Sequence, residues 1–264
     1  MEKSIKEGWN CALHNKDISI NYKSACLDAF GDDVSFNKFK SNPNYYAVVG
    51  CDSHGKPTCN MFYDWVISNH PDLIKYFDKF RENDSVGGPP TFVCGEDGEF
   101  SPNTMRYTKA LGDLQKYFGD LTDADIVEIG SGFGGQAKII SCVYDIKSYT
   151  MIDCFEAIKL VEKCMSKYDL AFDQHYYDID NIKIKDYHLG ISDSAISEMN
   201  DDSFDFYLED VLSKTKYTYC TMNDVYRKDI SISKFKNVFS SVEVIPDRPS
   251  MNQQNECYIL ICEK

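Results

Sequence analysis

The sequence predicts an α/β protein built on one mostly parallel sheet of seven strands, with an antiparallel last strand and a helical region in front of it. Three observations predict this. From residue 125 onward, short apolar runs alternate with helix-period segments, the pattern of a parallel sheet covered by helices. A glycine turn, "IVEIGSGFGGQA" at 126–137, joins the first run to the first of these helices. The last two runs are linked only by "RPSMNQQN", which is too short for a parallel crossover and allows antiparallel pairing.

The elements follow in order. Residues 1–85 lack strand alternation and read as helical. There "KSACLDAFGDD" stops at Gly31, and "MFYDWVISNHPDLIKYFDKF" is interrupted by Pro71, with Trp65, Phe77 and Phe80 as packing residues. "SVGGPPTFVCGEDGEF" is a turn-rich linker. "SPNTMRYTKALGDLQKYFG" is the best-marked helix: Ser101 caps it, Pro102 opens it and Gly119 ends it. Tyr107, Leu111, Leu114 and Phe118 make its apolar face, and Arg106 lies off that face. The strands are "DIVEIG", "SYTMID", "AFDQHYYDI", "DYHLGIS", "YTYCTMN", "SVEVIPD" and "ECYILICEK". The intervening helices are "GGQAKIISCVY", "FEAIKLVEKCMSKY", "SFDFYLEDVLSK" and "SISKFKNVF". This divides the chain into a helical N-terminal region, cap and linker at 1–100 and a ligand-binding domain at 101–264.

Bulk composition narrows the function. A formal charge of -14 argues against nucleic acid or an anionic membrane as partner. The eleven cysteines are scattered without a C-x-x-C, the opening segment is polar, and no apolar run approaches the ~18 residues of a membrane helix. These features point to a soluble protein of a reducing, cytoplasmic compartment. Cys51, His54 and Cys59 lie close together but lack a fourth ligand, so a plain turn is the expectation. No carboxylate set suits magnesium, Asp201 and Asp202 reading as helix-start residues, and no metal is expected.

The glycine turn fits two ligands. Gly130, Gly132 and Gly135 match the dinucleotide pattern G-x-G-x-x-G, whereas Glu128 with Gly130, Gly132 and Gly134 gives the E-x-G-x-G-x-G of S-adenosylmethionine sites. About 130 residues follow the first glycine strand, enough for one seven-stranded sheet, and the antiparallel terminal pair is unusual for dehydrogenases. A carboxylate at Glu128 would repel pyrophosphate but suits a sulfonium and an ammonium group. Asp153 ends the second strand, where either ligand class places its ribose-binding acid. S-adenosylmethionine is therefore preferred over a nicotinamide cofactor with an oxidoreductase, and over a methyltransferase-like binding subunit without catalysis.

The segments "SPNTMRYTKALGDLQKYFG", "IVEIGSGFGGQAKIIS", "KSYTMIDCFEA", "YHLGISDSAISEM" and "YCTMN" resemble the sugar O-methyltransferase family, from about residue 85 to 264. The resemblance implies a Rossmann-like class I methyltransferase fold, S-adenosylmethionine as methyl donor and a sugar hydroxyl as acceptor, on a nucleotide sugar or a glycan. Family members carry Asn-Tyr-Ala-Phe-Ser-Glu after the fourth strand. Ser197 and Glu198 match that pattern, while Asp193 replaces its Asn.

Candidate roles follow from position at the carboxyl edge of the sheet. Glu198, ahead of Asp193, is the candidate base, with His175 and His188 as alternatives and Asn223 orienting the acceptor. Glu128, Gly130, Ser131, Gly132, Gly134, Gln136 and Asp153 are assigned to the cofactor, with Asp178 toward adenine and Arg106 toward a carboxylate or phosphate. Tyr107, His175 and Arg248 are assigned to the substrate. The N-terminal region is expected to cover the acceptor site, and the oligomeric state stays open, a homo-oligomer included.

Overall fold

The computed structural model describes residues 16–50, 55–250 and 256–264. The N-terminal region is helical as expected: α1 Lys16–Gly31, α2 Asp33–Phe36, α3 Pro43–Val49, α4 Gly55–Asn69 and α5 Phe77–Arg81. Pro71 ends the α4 pattern, and a 3₁₀ turn at Pro71–Tyr76 joins it to α5. The linker is more ordered than its turn signals suggest. Phe92–Val93 (β1) pairs antiparallel with Glu99–Phe100 (β2), closed by the Cys94 amide donating to the Gly98 carbonyl at 2.9 Å.

The long helix α6, Pro102–Phe118, begins as its sequence dictates. Ser101 Oγ accepts from the Thr104 amide at 3.2 Å, and Gly119 ends the helix at φ 76°. Asp84 reinforces the cap: its carboxylate accepts from the Ser101 amide at 2.8 Å, the Ser101 hydroxyl at 2.6 Å and the Thr104 hydroxyl at 2.7 Å. The helix is buried well beyond the predicted face, because α4 packs on one side and α7, Gly135–Ser141, on the other.

The seven strands are β3 Asp125–Ile129, β4 Ser148–Ile152, β5 Asp173–Tyr177, β6 Tyr187–Asp193, β7 Thr215–Met222, β8 Ser241–Pro246 and β9 Tyr258–Glu263. Their order in the sheet is β5-β4-β3-β6-β7-β9-β8. Strands β3 to β7 pair in parallel, and β9 lies antiparallel between β7 and β8. This is the Rossmann-like arrangement of class I methyltransferases. The reversal of strand order between β3 and β6 places a crevice at their carboxyl ends.

Both faces of the central strands are covered, so β4 reads as one continuous buried run rather than an alternation. One core contains Val127, Ile129 and Ile152 with Phe204 of α9 (Asp201–Phe206) and Phe235 of α10 (Lys228–Val238). The other runs from Ile126 and Met151 through α6, α7 and α8 (Phe155–Met165) into Tyr22, Phe39, Tyr45 and Phe62 of the N-terminal region. Lys163 of α8 secures this junction by donating to the carbonyls of Ala29 and Phe30, at 3.2 and 3.0 Å, at the end of α1.

One predicted helix, 203–214, is not a single helix. α9 stops at Phe206 and continues as a wider π turn over Tyr207–Val211 and a 3₁₀ turn over Leu212–Lys214. The two turns bury the adjacent pairs Tyr207–Leu208 and Val211–Leu212 while leaving Glu209 and Asp210 at the surface. No described helix is long and apolar enough to cross a membrane.

Because Asp84 holds three donors at the start of α6, Asp84→Ala is expected to cost about 2–3 kcal/mol of stability. Urea unfolding should show a lower midpoint with an unchanged slope.

Candidate active site

The crevice begins at the glycine turn. After β3 the amides of Gly130 and Ser131 donate to the Ile152 carbonyl at 2.8 and 3.3 Å, which folds the chain sharply back over β4. Gly130 sits at φ 78°, and a Cβ there would lie 2.1 Å from the Cβ of Ala195, so only glycine fits. Asp153, at the end of β4, accepts from the Gly132 amide at 3.0 Å and from the Cys154 amide at 2.8 Å. The acid expected at this position thus also fixes the turn.

A cavity of about 850 Å³ opens over the turn. Glu128, Gly130, Gly132, Asp153 and Cys154 form its floor. Arg106 and Tyr107 of α6 form one wall, and Asp193, Ser194, Ala195 and Glu198 another. Ser19, Tyr22 and Lys23 of α1, with Val48 and Val49 of α3, form the roof. Phe133, inside the glycine turn, holds this roof down: its ring meets Phe39 and Tyr107 edge-on at 6.3 and 5.8 Å, and Lys40 Nζ lies 3.8 Å from its centroid.

A second cavity of about 510 Å³ lies on the other side of the Arg106–Asp193 ion pair, whose N···O distance is 3.0 Å. Arg106, Asp193 and Ser194 line both cavities, and Arg106 also donates to the Val49 carbonyl at 3.3 Å. Phe62, Lys109, Tyr219, Thr221, Asn223 and Asp247 complete the second cavity. Glu198 lines the first cavity and accepts at 2.6 Å from Nδ2 of Asn223, which lines the second.

Burial sets the protonation of the carboxyls in the first cavity. It pushes Glu128 up to about 8, although the Tyr149 hydroxyl donates to it at 2.9 Å. It pushes Glu198 up to about 7 against the Asn223 hydrogen bond, and Asp153 up to about 6 against its two backbone donors. A cation entering the first cavity would reverse this penalty, so the cavity favours a positively charged ligand.

The structure gathers Glu128, Gly130, Gly132, Asp153, Arg106, Tyr107, Asp193 and Glu198 around one cavity, with Asn223 in the next. The other sequence candidates sit elsewhere. Gln136 Nε2 donates to the Tyr107 carbonyl at 3.3 Å, and Gly134 faces Met165 in the core. The buried Ser131 hydroxyl has no hydrogen-bond partner among the described residues. Asp178 accepts from the Asp180 amide at 2.9 Å within its own turn, and His175 stacks along Tyr177 at 6.3 Å on edge strand β5. Arg248 is exposed. His188 is the second residue of β6, near the opposite end of the strand from Asp193, and packs edge-on against Tyr217 at 5.5 Å. Tyr107 borders the first cavity and not the second. Sequence reasoning missed the roof residues Ser19, Tyr22, Val48 and Val49, and it missed Lys109.

Cys51 and His54 lie outside the described residues. Cys59 packs against Cys94, with the sulfurs 3.2 Å apart. No group of three or more ligand-type side chains among the described residues could hold a metal.

No protein-family model and no curated protein matches this sequence. Among solved structures, the chain is similar to Thermoplasma acidophilum 1320 at 13% identity, covering 74% of this chain and 96% of that one, with a TM-score of 0.48. It is similar to the methyltransferase domain of bacterial CtHen1 at 9% identity, covering 61% and 99%, with a TM-score of 0.48. It is also similar to an S-adenosylmethionine-dependent methyltransferase from Clostridium acetobutylicum at 11% identity, covering 58% and 88%, with a TM-score of 0.47. The fold class itself is read from the strand order.

Glu128, Glu198 and Asp153 each bind a proton more tightly folded than unfolded, so the folded state holds extra protons between the unfolded and folded values. Stability of the free protein should therefore fall as pH rises from about 5 to about 8. Carboxyls held low, such as Asp113 and Asp125, contribute no slope in that window, and His188, held low by burial, opposes the decline only in its acidic part, one group against three. Urea unfolding at several pH values should show the decline, and Glu128→Gln should flatten it toward the alkaline end.

Proposed function

We propose that the chain is an S-adenosylmethionine-dependent O-methyltransferase acting on a sugar hydroxyl, carried on a nucleotide sugar or a glycan. One observation carries the reading: a glycine turn and two desolvated carboxyls, Glu128 and Asp153, share a cavity that adjoins a second one beside Glu198. Buried carboxyls held above their usual range suit a ligand bearing ammonium and sulfonium groups and oppose a pyrophosphate.

In this reading Glu128, Asp153 and the backbone of the glycine turn hold S-adenosylmethionine, and Arg106, paired with Asp193, walls the site. When bound, it supplies a methyl group to an incoming nucleophile. The chain's own task is placement: holding an acceptor oxygen in line from the second cavity is worth up to ~7–11 kcal/mol. Glu198 takes the proton from the acceptor hydroxyl, adding roughly 10²–10⁴ in rate, and Asn223 fixes its orientation. A carboxyl near 7 is partly ionised at neutral pH and can still accept a proton. The roof from α1 and α3 keeps water from the reacting groups.

Isothermal titration should detect micromolar binding of S-adenosylmethionine and of its demethylated product, weakened about tenfold or more by Asp153→Ala. No heat with either compound would refute the assignment. With an acceptor found by screening sugars for a mass gain of one CH₂, the rate should rise with pH through about 7. Glu198→Gln should remove that rise and lower kcat by ~10²–10⁴ while leaving donor affinity nearly unchanged.

A further inference from the structure

The second cavity holds two cations, and both are already neutralised. Arg106 pairs with Asp193 at 3.0 Å. Lys109, only 3% exposed, lies between Asp247 at 2.8 Å and Asp113 at 2.9 Å. Asp113 is held in turn by the Tyr219 hydroxyl at 2.9 Å and faces His70 at 3.7 Å. Burial works against the charge on Lys109, but its two carboxylates outweigh that and hold its pKa above the usual lysine value. Burial raises Asp247, so Asp113 is the firmer anion of the pair. Whether Asp247 is ionised or not, these five groups carry no net positive charge.

An anionic ligand would have to displace Asp193 from Arg106 or Asp247 from Lys109 and leave that carboxylate facing it, desolvated. Like charges brought together in such a site cost several kcal/mol. The remaining lining is suited to hydroxyls. Ser194, Thr221 and Asn223 are polar: the Thr221 hydroxyl donates to Asp193 at 2.6 Å and Asn223 Nδ2 to Glu198 at 2.6 Å. The second amide hydrogen of Asn223 and the hydroxyl lone pairs can still meet a sugar hydroxyl, while Phe62 and Tyr219 give apolar ring surface.

We propose that the second cavity seats the acceptor as an uncharged, hydroxyl-bearing glycosyl group and excludes phosphate and carboxylate from that pocket. This rests on the methyl-transfer reading and sharpens it. If the acceptor is a nucleotide sugar, its pyrophosphate lies outside the cavity.

The test compares binding of methyl glycosides of common hexoses, 6-deoxyhexoses and pentoses with binding of the 1-phosphates of the same sugars. Saturation-transfer NMR and competition titrations would use the full chain saturated with the demethylated donor product. At least one methyl glycoside should bind, with its 1-phosphate about tenfold weaker or worse. Asp247→Asn, which removes the carboxylate and leaves Lys109 less neutralised, should narrow that gap. Ala110→Trp at the lining, or Ser250→Trp at the rim if the first variant fails to fold, should abolish glycoside binding while product binding persists by calorimetry. Equal or tighter binding of the phosphates overturns the proposal, and so does failure of every glycoside. If the product itself does not bind, the donor assignment fails, and the same comparison on the free chain still decides the chemistry of this cavity.

Discussion

Three hydrogen bonds tie the turn after β3 to the end of β4: the Gly130 and Ser131 amides donate to the Ile152 carbonyl, and the Gly132 amide donates to the Asp153 carboxylate at 3.0 Å. With Gly130 pressed against Ala195 from the opposite side, the turn is located by both of its sheet neighbours. Phe133 then becomes the surface on which the N-terminal helices dock, through Phe39, Lys40 and Tyr107. Floor and roof of the first cavity are therefore set by one loop, residues 130–134. That is why a region lacking the sheet's periodicity nevertheless forms part of the site.

The division into two cavities depends on α6. Arg106 and Lys109 stand about one helical turn apart on it, close enough to border a common space and far enough to bind different carboxylates. Each cation is shielded by an acid from another element, Asp193 from β6 and Asp247 from the segment after β8. The two spaces consequently differ in character. In the first, Glu128 and Glu198 are held toward their neutral forms by desolvation. In the second, fixed ion pairs cancel one another.

Much of this was legible in the sequence where the signal is local. Ser101, Pro102 and Gly119 bound α6 because capping and helix termination depend on neighbouring residues. The antiparallel β8–β9 pair followed from the short polar link. The glycine turn with Glu128 and Asp153 was legible because each glycine answers a backbone need at a fixed spacing. The roof was not. The buried side of α1 includes Ser19, Tyr22, Cys26 and Ala29, at helical spacing but too small and polar to stand out. Lys109 was missed because its partner Asp247 is 138 residues away. Asp178 reads from the sequence both as an adenine acceptor and as a turn residue, and its side chain turns back to its own backbone, as aspartates in turns often do.

The position of β9 has a consequence for how the sheet forms. β8 precedes β9 in the chain, yet its ladder is with β9, which lies between it and β7. As the polypeptide emerges from the ribosome, β8 must wait with its hydrogen-bonding edges unsatisfied until the following segment slots in beside Tyr219 and Cys220. During that interval β7 also presents an open, largely apolar edge. Without β9 the parallel part of the sheet would end at β7, whose backbone groups could then pair with another chain, so one short strand closes that edge.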